Sequence, residues 1–488
     1  MAEHRSPQPA VPGHLAGHLP DHLADLAHHV LGEADRIRAD LEDLVRIPSI
    51  SALPDHAADV HRSATATAAL LSDAGLEDVE LLEFDGMPPA VTGSWLHAGE
   101  HAPTVLLYAH HDVQPVGTAH RWHSEPFTPT ERDGRLYGRG TADDKAGIMT
   151  HVAAIRAWLT TRGSLPVNVK VLIEGEEELG SPHLPDLLER WSGQLASDVI
   201  VLADLVNRDV GWPSLTYALR GMAELTVRVR TLEQPVHSGL WGGAVPDALT
   251  ATARLLATLH DEHGEVAVPS FLADVRATPE AERDRFAALG TEEQQLRRDV
   301  RLLEGVRFTG GPTSSFEERL WLRPTITPTA MDVTPVAEAS NTLLSEVTTR
   351  LSCRLAPGQD PDRAVRALTD HLVDHAPFGA HVEVVTGAST PGWLMEPTGP
   401  AWSAAVAAMT AAYGREPAAM GCGGSIPFVG PFSRAFDGAP CLLVGVEDPR
   451  SNAHGEDESV HLEDLQRACL AQTLLLAELA ERGAELRR

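Results

Sequence analysis

A chain of 488 residues exceeds what one hydrophobic core usually supports, so length alone argues for two domains. Its 43 % hydrophobic and 22 % charged content is that of a globular protein and excludes global disorder. The formal net charge of −30 disfavours nucleic acid and anionic membranes as partners, and no 18-residue apolar span suggests a transmembrane segment.

Residues 1–20 mix Pro, His and Asp without the apolar stretch of a signal peptide, and read as a poorly ordered tail. The four cysteines, Cys353, Cys422, Cys441 and Cys469, lack CxxC spacing, so neither a thiolate metal site nor a disulfide framework is suggested. A cytoplasmic protein is expected. Apolar residues recur at helical spacing from Asp21 to Arg46, ending before Pro48, and a second helix is expected over 59–73, ending at Gly75.

The stretch Thr104 to Pro115, TVLLYAHHDVQP, is an apolar β-like run that stops at His110, His111 and Asp112, as a buried strand does where it meets a site. Strand alternation sets His110 and Asp112 on one face and His111 on the other. Asp112 can then accept an imidazole N–H and orient a ring whose other nitrogen holds a metal. Downstream, in LYGRGTADDKAG, Gly138 and Gly140 permit a tight turn. Asp143, Asp144 and Lys145 stand at the entrance of a helix running to about Thr161, where carboxylates serve as N-caps or bind metal.

A second apolar strand, Val167 to Glu174, ends in GEEELGSP, with Glu176, Glu177 and Glu178 bracketed by Gly175 and Gly180. A third, Asp198 to Ala203, runs into Asp204. Three such strands with helices between them predict an α/β sheet with helices on both faces, whose strand ends deliver His, Glu and Asp to one crevice.

From about Tyr217 the pattern alternates instead: ELTVRVR, SEVTTRLSCRL (345–355) and HVEVVT (381–386), with helical runs over 247–260 and 360–375. One wet face implies an antiparallel sheet covered by helices on one side, an α+β domain inserted over 217–386. Residues 262–318 are its least regular part. The chain then returns to the first domain, 21–216 with 387–488, through a helix over 400–413, the turn GCGGSIPF, a strand over 441–446, a loop carrying His454, and an amphipathic helix over 461–482.

Together YAHHDVQP, GRGTADDKAG, IEGEEELGSP, the Asp204 strand end, PVHSG, GGSIP and SNAH resemble, in order and rough separation, the di-zinc metallopeptidase family of carnosinase-like dipeptidases, aminoacylases and succinyl-diaminopimelate desuccinylase. The resemblance spans roughly 40 to 480 and implies a dipeptidase with an inserted lid and dimerisation domain. It implies two Zn2+ per subunit, or Mn2+ or Co2+ in their place. One ion would take His110, Asp143 and Asp204, the other Asp143, Glu178 and His454.

Glu177 matches the family's general base, with Asp112 orienting His110 and tuning that base. His237, in PVHSG, would reach the partner subunit's site and help stabilise the oxyanion, making a homodimer the catalytic unit. Arg323, Asn341 and Ser425 would grip the substrate, with the Arg323 fork and the backbone N–H groups of Gly423 and Gly424 meeting its α-carboxylate. Ala109 and His111 depart from the family pattern, as do Gly421 and Cys422, which stand where carnosinase-like members often carry Arg-Glu.

The expected substrate is therefore a dipeptide or short peptide. N-acyl, N-succinyl or N-carbamoyl amino acids are the alternative within the family, and a catalytically silent binding protein is the alternative outside it. Nucleic acid and membrane are not expected as partners.

Overall fold

The computed structural model describes residues 21–84, 86–311, 314–424, 426 and 429–487. The tail expected over 1–20 and the candidate Ser425 lie outside the described residues. Contacts divide the chain into two compact units, Met1–Tyr217 with Met395–Met420 and Phe428–Arg488, and Ala218–Leu394 with Gly421–Pro427. Residues 387–394 go with the second unit because the strand starting at His381 continues to Thr390, still paired with Met222.

In the first unit the strands Asn168–Glu174, Thr104–His110, Val199–Leu202 and Cys441–Leu443 lie side by side and parallel. Their residues are buried almost without interruption along each strand, which requires cover on both faces and explains why they read as continuous apolar runs. Phe432, on the helix Val429–Ala435, meets the Tyr108 ring edge-on at 5.4 Å. The helix Lys145–Arg162 packs on the Thr104–His110 strand and on Leu462–Glu481, and buries every residue from Lys145 to Trp158.

Two antiparallel strands, Glu77–Leu82 and Ala90–Trp95, extend this sheet on the side of Asn168–Glu174. The outer one, EDVELL, is largely exposed and carries no apolar run. The helix expected over 21–46 is two helices, Ala24–Gly32 and Ala34–Val45, separated at Glu33 by φ −91 and ψ 10. Each buries its own stripe: Leu26, Ala27 and Val30, then Ile37, Leu41, Leu44 and Val45. Among the described residues no helix is long and apolar enough to cross a membrane.

The second unit is built on an antiparallel sheet in the order Thr325–Asp332, Glu346–Leu355, Gly221–Arg230, His381–Thr390. Burial alternates along Gly221–Arg230 and Glu346–Leu355, so one face is dry. On it Leu225, Val227, Leu351 and Cys353 pack with Ala251 and Leu255 of the helix Ala248–Leu256, and with Leu368 and Leu372 of Pro361–Asp374. Asp247 and Asp360 cap those helices by accepting the Thr250 and Arg363 N–H groups at 2.8 and 2.9 Å. Thr325–Asp332 lies at the edge with a register shift after Pro328, an edge position being where a strand tolerates proline.

Candidate metal centre

Because the central strands of the first unit are parallel, their carboxyl ends open on one side. His110 pairs with Glu174, Tyr108 with Leu202, and Leu443 with Leu202, so the segments leaving each strand start level with one another. The His110 N–H donates to Asp144 Oδ2 at 3.1 Å, tying the strand end to the start of the Lys145–Arg162 helix. Asp144 occupies that helix's N-cap position but makes no side-chain capping bond, so capping is not what these carboxylates do here.

The loop that presents Asp143 is clamped by Glu458. Its carboxylate accepts the N–H groups of Gly140, Ala142 and Asp143 at 3.0, 2.9 and 3.1 Å, and the Arg139 guanidinium at 2.6 Å. Gly140 has φ +82, and a Cβ there would lie 2.6 Å from Val113, so only glycine fits the turn. Lys145 Nζ donates to the carbonyls of Leu44 and Ile47, both at 2.9 Å, locking the preceding helix against the same loop.

Asp143 faces both imidazoles. Its Oδ1 lies 3.1 Å from His110 Nε2 and its Oδ2 lies 2.9 Å from His454 Nε2. His110 Nε2 is also 3.8 Å from Asp204 Oδ1 and 3.9 Å from Glu177 Oε2, and His454 Nε2 is 3.2 Å from Glu178 Oε2. Among the described residues three sets bring potential ligand atoms within 4.8 Å of one another: His110, Asp144 and Asp204; Asp143, Glu178 and His454; Asp143, Asp204 and Glu447. Imidazole and carboxylate without thiolate is the donor chemistry of catalytic zinc, manganese or cobalt sites, so these residues fit a pair of divalent cations.

Asp112 does more than orient His110, whose Nδ1 lies 3.3 Å from its Oδ1 and 3.1 Å from its carbonyl. Its Oδ1 accepts the Glu177 N–H and its Oδ2 the Glu178 N–H, both at 3.2 Å, while Ser51 Oγ donates to Oδ2 at 2.6 Å. One buried carboxylate thus sets the imidazole and the turn carrying both glutamates. Gln114 Nε2 donates to Glu178 Oε2 at 2.7 Å. Glu176 is spent elsewhere, on the His183 N–H and ring, both at 2.8 Å.

Crowded acids in a dry crevice resist ionising together. Burial, then the charges of Asp204, Glu178 and Asp143, push the Glu177 carboxyl well above its ordinary range. Burial and Asp143 bring Glu178 up to about 7, and burial with Asp143 also raises Asp204. Burial, Asp143 and Asp204 raise Glu447 strongly. For Asp143 burial acts upward too, but hydrogen bonds from His110 and His454 outweigh it and hold the carboxyl below its usual value. The same bonds to Asp143 and Glu178 lift His454 to about 11. Burial opposes a charge on His110, yet its contacts with Asp112, Asp143 and Asp204 raise it well above the usual imidazole value. The excess of carboxylate over cation is what divalent ions would balance.

The remaining sequence candidates belong to the second unit. His237 is exposed, and its Nδ1 accepts the Gly239 N–H at 3.0 Å. Arg323 donates through Nε and Nη2 to Glu318 Oε1 at 3.1 and 2.6 Å, and Glu318 Oε1 also accepts the Thr278 hydroxyl at 2.8 Å. Asn341 is exposed, with its carbonyl accepting the Ser238 N–H at 2.8 Å. Gly424 donates its N–H to Cys422 Sγ at 3.3 Å.

Sequence reasoning did not single out Glu447, Glu458 or Gln114 as members of the centre, and named Asp144 only beside Asp143, as a helix-entrance carboxylate that caps or binds metal. Glu447 carried a usable signal, since it follows the apolar run Cys441–Val446 as Asp204 follows Val199–Leu202.

The profile of Peptidase family M20/M25/M40 matches residues 106–478. A cysteinylglycine-S-conjugate dipeptidase of Corynebacterium striatum is 34 % identical over 445 residues, covering 91 % of this chain and 95 % of the relative. A human beta-Ala-His dipeptidase is 27 % identical over 382 residues, 77 % of this chain and 74 % of that one. The crystal structure of human carnosine dipeptidase 1 superposes with a TM-score of 0.78 at 24 % identity, covering 95 % and 99 % of the two chains, a likeness of fold.

Proposed function

The chain belongs to Peptidase family M20/M25/M40, and from that premise we propose that it is a metal-dependent dipeptidase hydrolysing the amide bond of dipeptides or short peptides. The observation that carries the reading is the position of Glu177. Its carboxylate lies 3.9 Å from His110 Nε2, beside the potential ligand sets but outside all three. A carboxyl raised by burial beside ligands, yet free of that duty, is suited to exchanging protons.

His110, Asp143 and Asp204 would hold one ion and Asp143, Glu178 and His454 the other, Asp143 being the residue that lies against both imidazoles. Two Zn2+ per chain are the proposed cofactors, with Mn2+ or Co2+ acceptable to the same donors. Bound ions would acidify water and polarise the scissile carbonyl. Glu177 accepts the proton of the attacking water and later delivers it to the departing amine. Asp112 fixes the imidazole of His110 and, through the backbone of Glu177 and Glu178, the reach of the base.

The second unit is proposed as lid and dimerisation module of a homodimer, with His237 acting across the interface on the developing oxyanion. Arg323, Asn341, Gly424 and Ser425 are assigned to the substrate's carboxylate end. A peptide carboxylate would compete with Glu318 for the Arg323 guanidinium. A cytoplasmic setting agrees with four cysteines, none of them in a disulfide.

The test is a substrate panel on metal-loaded protein: cysteinylglycine S-conjugates, beta-alanyl-histidine and unmodified dipeptides against N-acetyl, N-succinyl and N-carbamoyl amino acids. Dipeptide cleavage is expected. Cleavage confined to the acylated amino acids would overturn the dipeptidase reading.

A further inference from the structure

We propose that Glu447 is a ligand of the metal centre, a carboxylate added to the ion on the His110 side and shared with Asp143 and Asp204. The inference rests on reading the crevice as a dinuclear metal site and adds to it a side chain that the expected ligand set lacks.

The backbone brings Glu447 to Asp204. Past the level pair Leu443 and Leu202 the two chains run on together: Val206 and Glu447 form a parallel bridge, and the Asn207 N–H donates to the Glu447 carbonyl at 2.8 Å. The approach is so close that a Cβ on Gly445 would lie 1.4 Å from the Leu205 carbonyl oxygen, so this contact is open only to glycine. As a result a ligand oxygen of Glu447 comes within 4.8 Å of those of both Asp143 and Asp204.

What the carboxylate lacks matters as much. Glu447 is 8 % exposed, and among the described residues no hydrogen bond or ion pair to its carboxylate is found, His454 acting on it only through its charge. Each of the neighbouring buried acids has at least one bond: Asp112 from two backbone N–H groups and Ser51, Asp144 from the His110 N–H, Glu174 from Tyr108, Glu176 from His183, Glu458 from Arg139. The next residue, Asp448, turns the other way and pairs with Arg135 at 2.8 Å. Buried carboxylates persist when they are paired or when they coordinate a metal. Glu447 has no pair, and it faces two other metal-competent carboxylates.

The consequence is an asymmetric pair of ions. The His110 side becomes the more oxygen-rich, and additional carboxylate favours a harder ion such as Mn2+ over Zn2+.

The test measures binding rather than turnover. Metal-stripped wild-type chain and Glu447→Gln are titrated with Mn2+ and with Zn2+ by calorimetry, and bound metal is counted by mass spectrometry. The wild type is expected to take two ions per chain. Glu447→Gln should keep one at unchanged affinity and lose about tenfold or more at the other, with the larger loss for Mn2+. Wild-type affinities at both sites in Glu447→Gln would overturn the inference, as would an effect confined to KM for dipeptides, which would make Glu447 a binder of the substrate amine. A wild-type chain that takes fewer than two ions would instead sink the underlying reading, and this proposal with it. Should Glu447→Gln not fold, Co2+-loaded wild type decides: a weak d–d absorption for one of the two ions supports the added ligand, and tetrahedral intensity for both contradicts it.

Discussion

The two units use β-structure in opposite ways. In the first, parallel strands buried on both faces stop together and hand ionisable residues to a common edge, so His110, Asp204 and the Glu177–Glu178 turn converge although they are far apart in sequence. In the second, antiparallel strands alternate wet and dry, and the ionisable residues spread over an exposed face in pairs such as Arg228 with Glu346. A strand's burial pattern therefore tells where chemistry can collect. Continuous burial pushes polar groups to the ends, whereas alternation disperses them along the length.

This contrast is broken most severely at Glu177. Replacing it with alanine removes the proposed base while leaving the proposed ligands, and kcat on a dipeptide should fall by roughly 10²–10⁴. Metal content measured on the same sample should be unchanged; unchanged turnover would end the mechanism. A core substitution in the second unit should do the reverse. Leu351→Ala, at a fully buried position, should cost about 2–5 kcal/mol in denaturant unfolding and leave metal stoichiometry of the folded chain intact.

Next in size is a pH effect. Burial holds the His151 imidazole at about 4, below its ordinary value. The unfolded chain then binds the extra proton first, so stability is full above about pH 6.5 and falls by up to about 3 kcal/mol as pH drops toward 4. Urea titrations of metal-free wild type and His151→Gln across that window should show the wild type losing the more, and parallel curves would refute the assignment. Asp112→Asn should weaken metal binding by about 10–100-fold, since it removes the carboxylate charge beside His110 Nδ1 and disturbs the Glu178 turn, with calorimetric affinities as the readout. The mildest effect belongs to the second unit, where Asp247→Ala removes one helix cap and should cost about 1 kcal/mol in thermal unfolding.

These residues also show what the sequence makes legible. The strands ending at His110, Glu174 and Leu202 stand out because burial on both faces leaves an uninterrupted apolar run, and the acids behind them mark the crevice. Glu447 bears the same mark, but with the DPR that follows it the stretch reads as a solvated turn. Glu458 bears none, because its role is to accept N–H groups from a loop more than 300 residues earlier in the chain. The strands Glu77–Leu82 and Thr325–Asp332 escape notice since an exposed edge tolerates acids and proline. Arg323 is visible as a guanidinium, but its tie to Glu318 is not. The π-helical turn Glu318–Leu322 brings residues five apart together, a spacing that ordinary helical periodicity does not suggest.

The most direct test of the account is the metal inventory of Asp143→Ala beside the wild type. If Asp143 bridges, wild-type chain binds two divalent ions and the variant loses both at micromolar metal, with its fold intact by circular dichroism. A variant that still binds two ions would contradict the shared centre on which the hydrolytic reading depends.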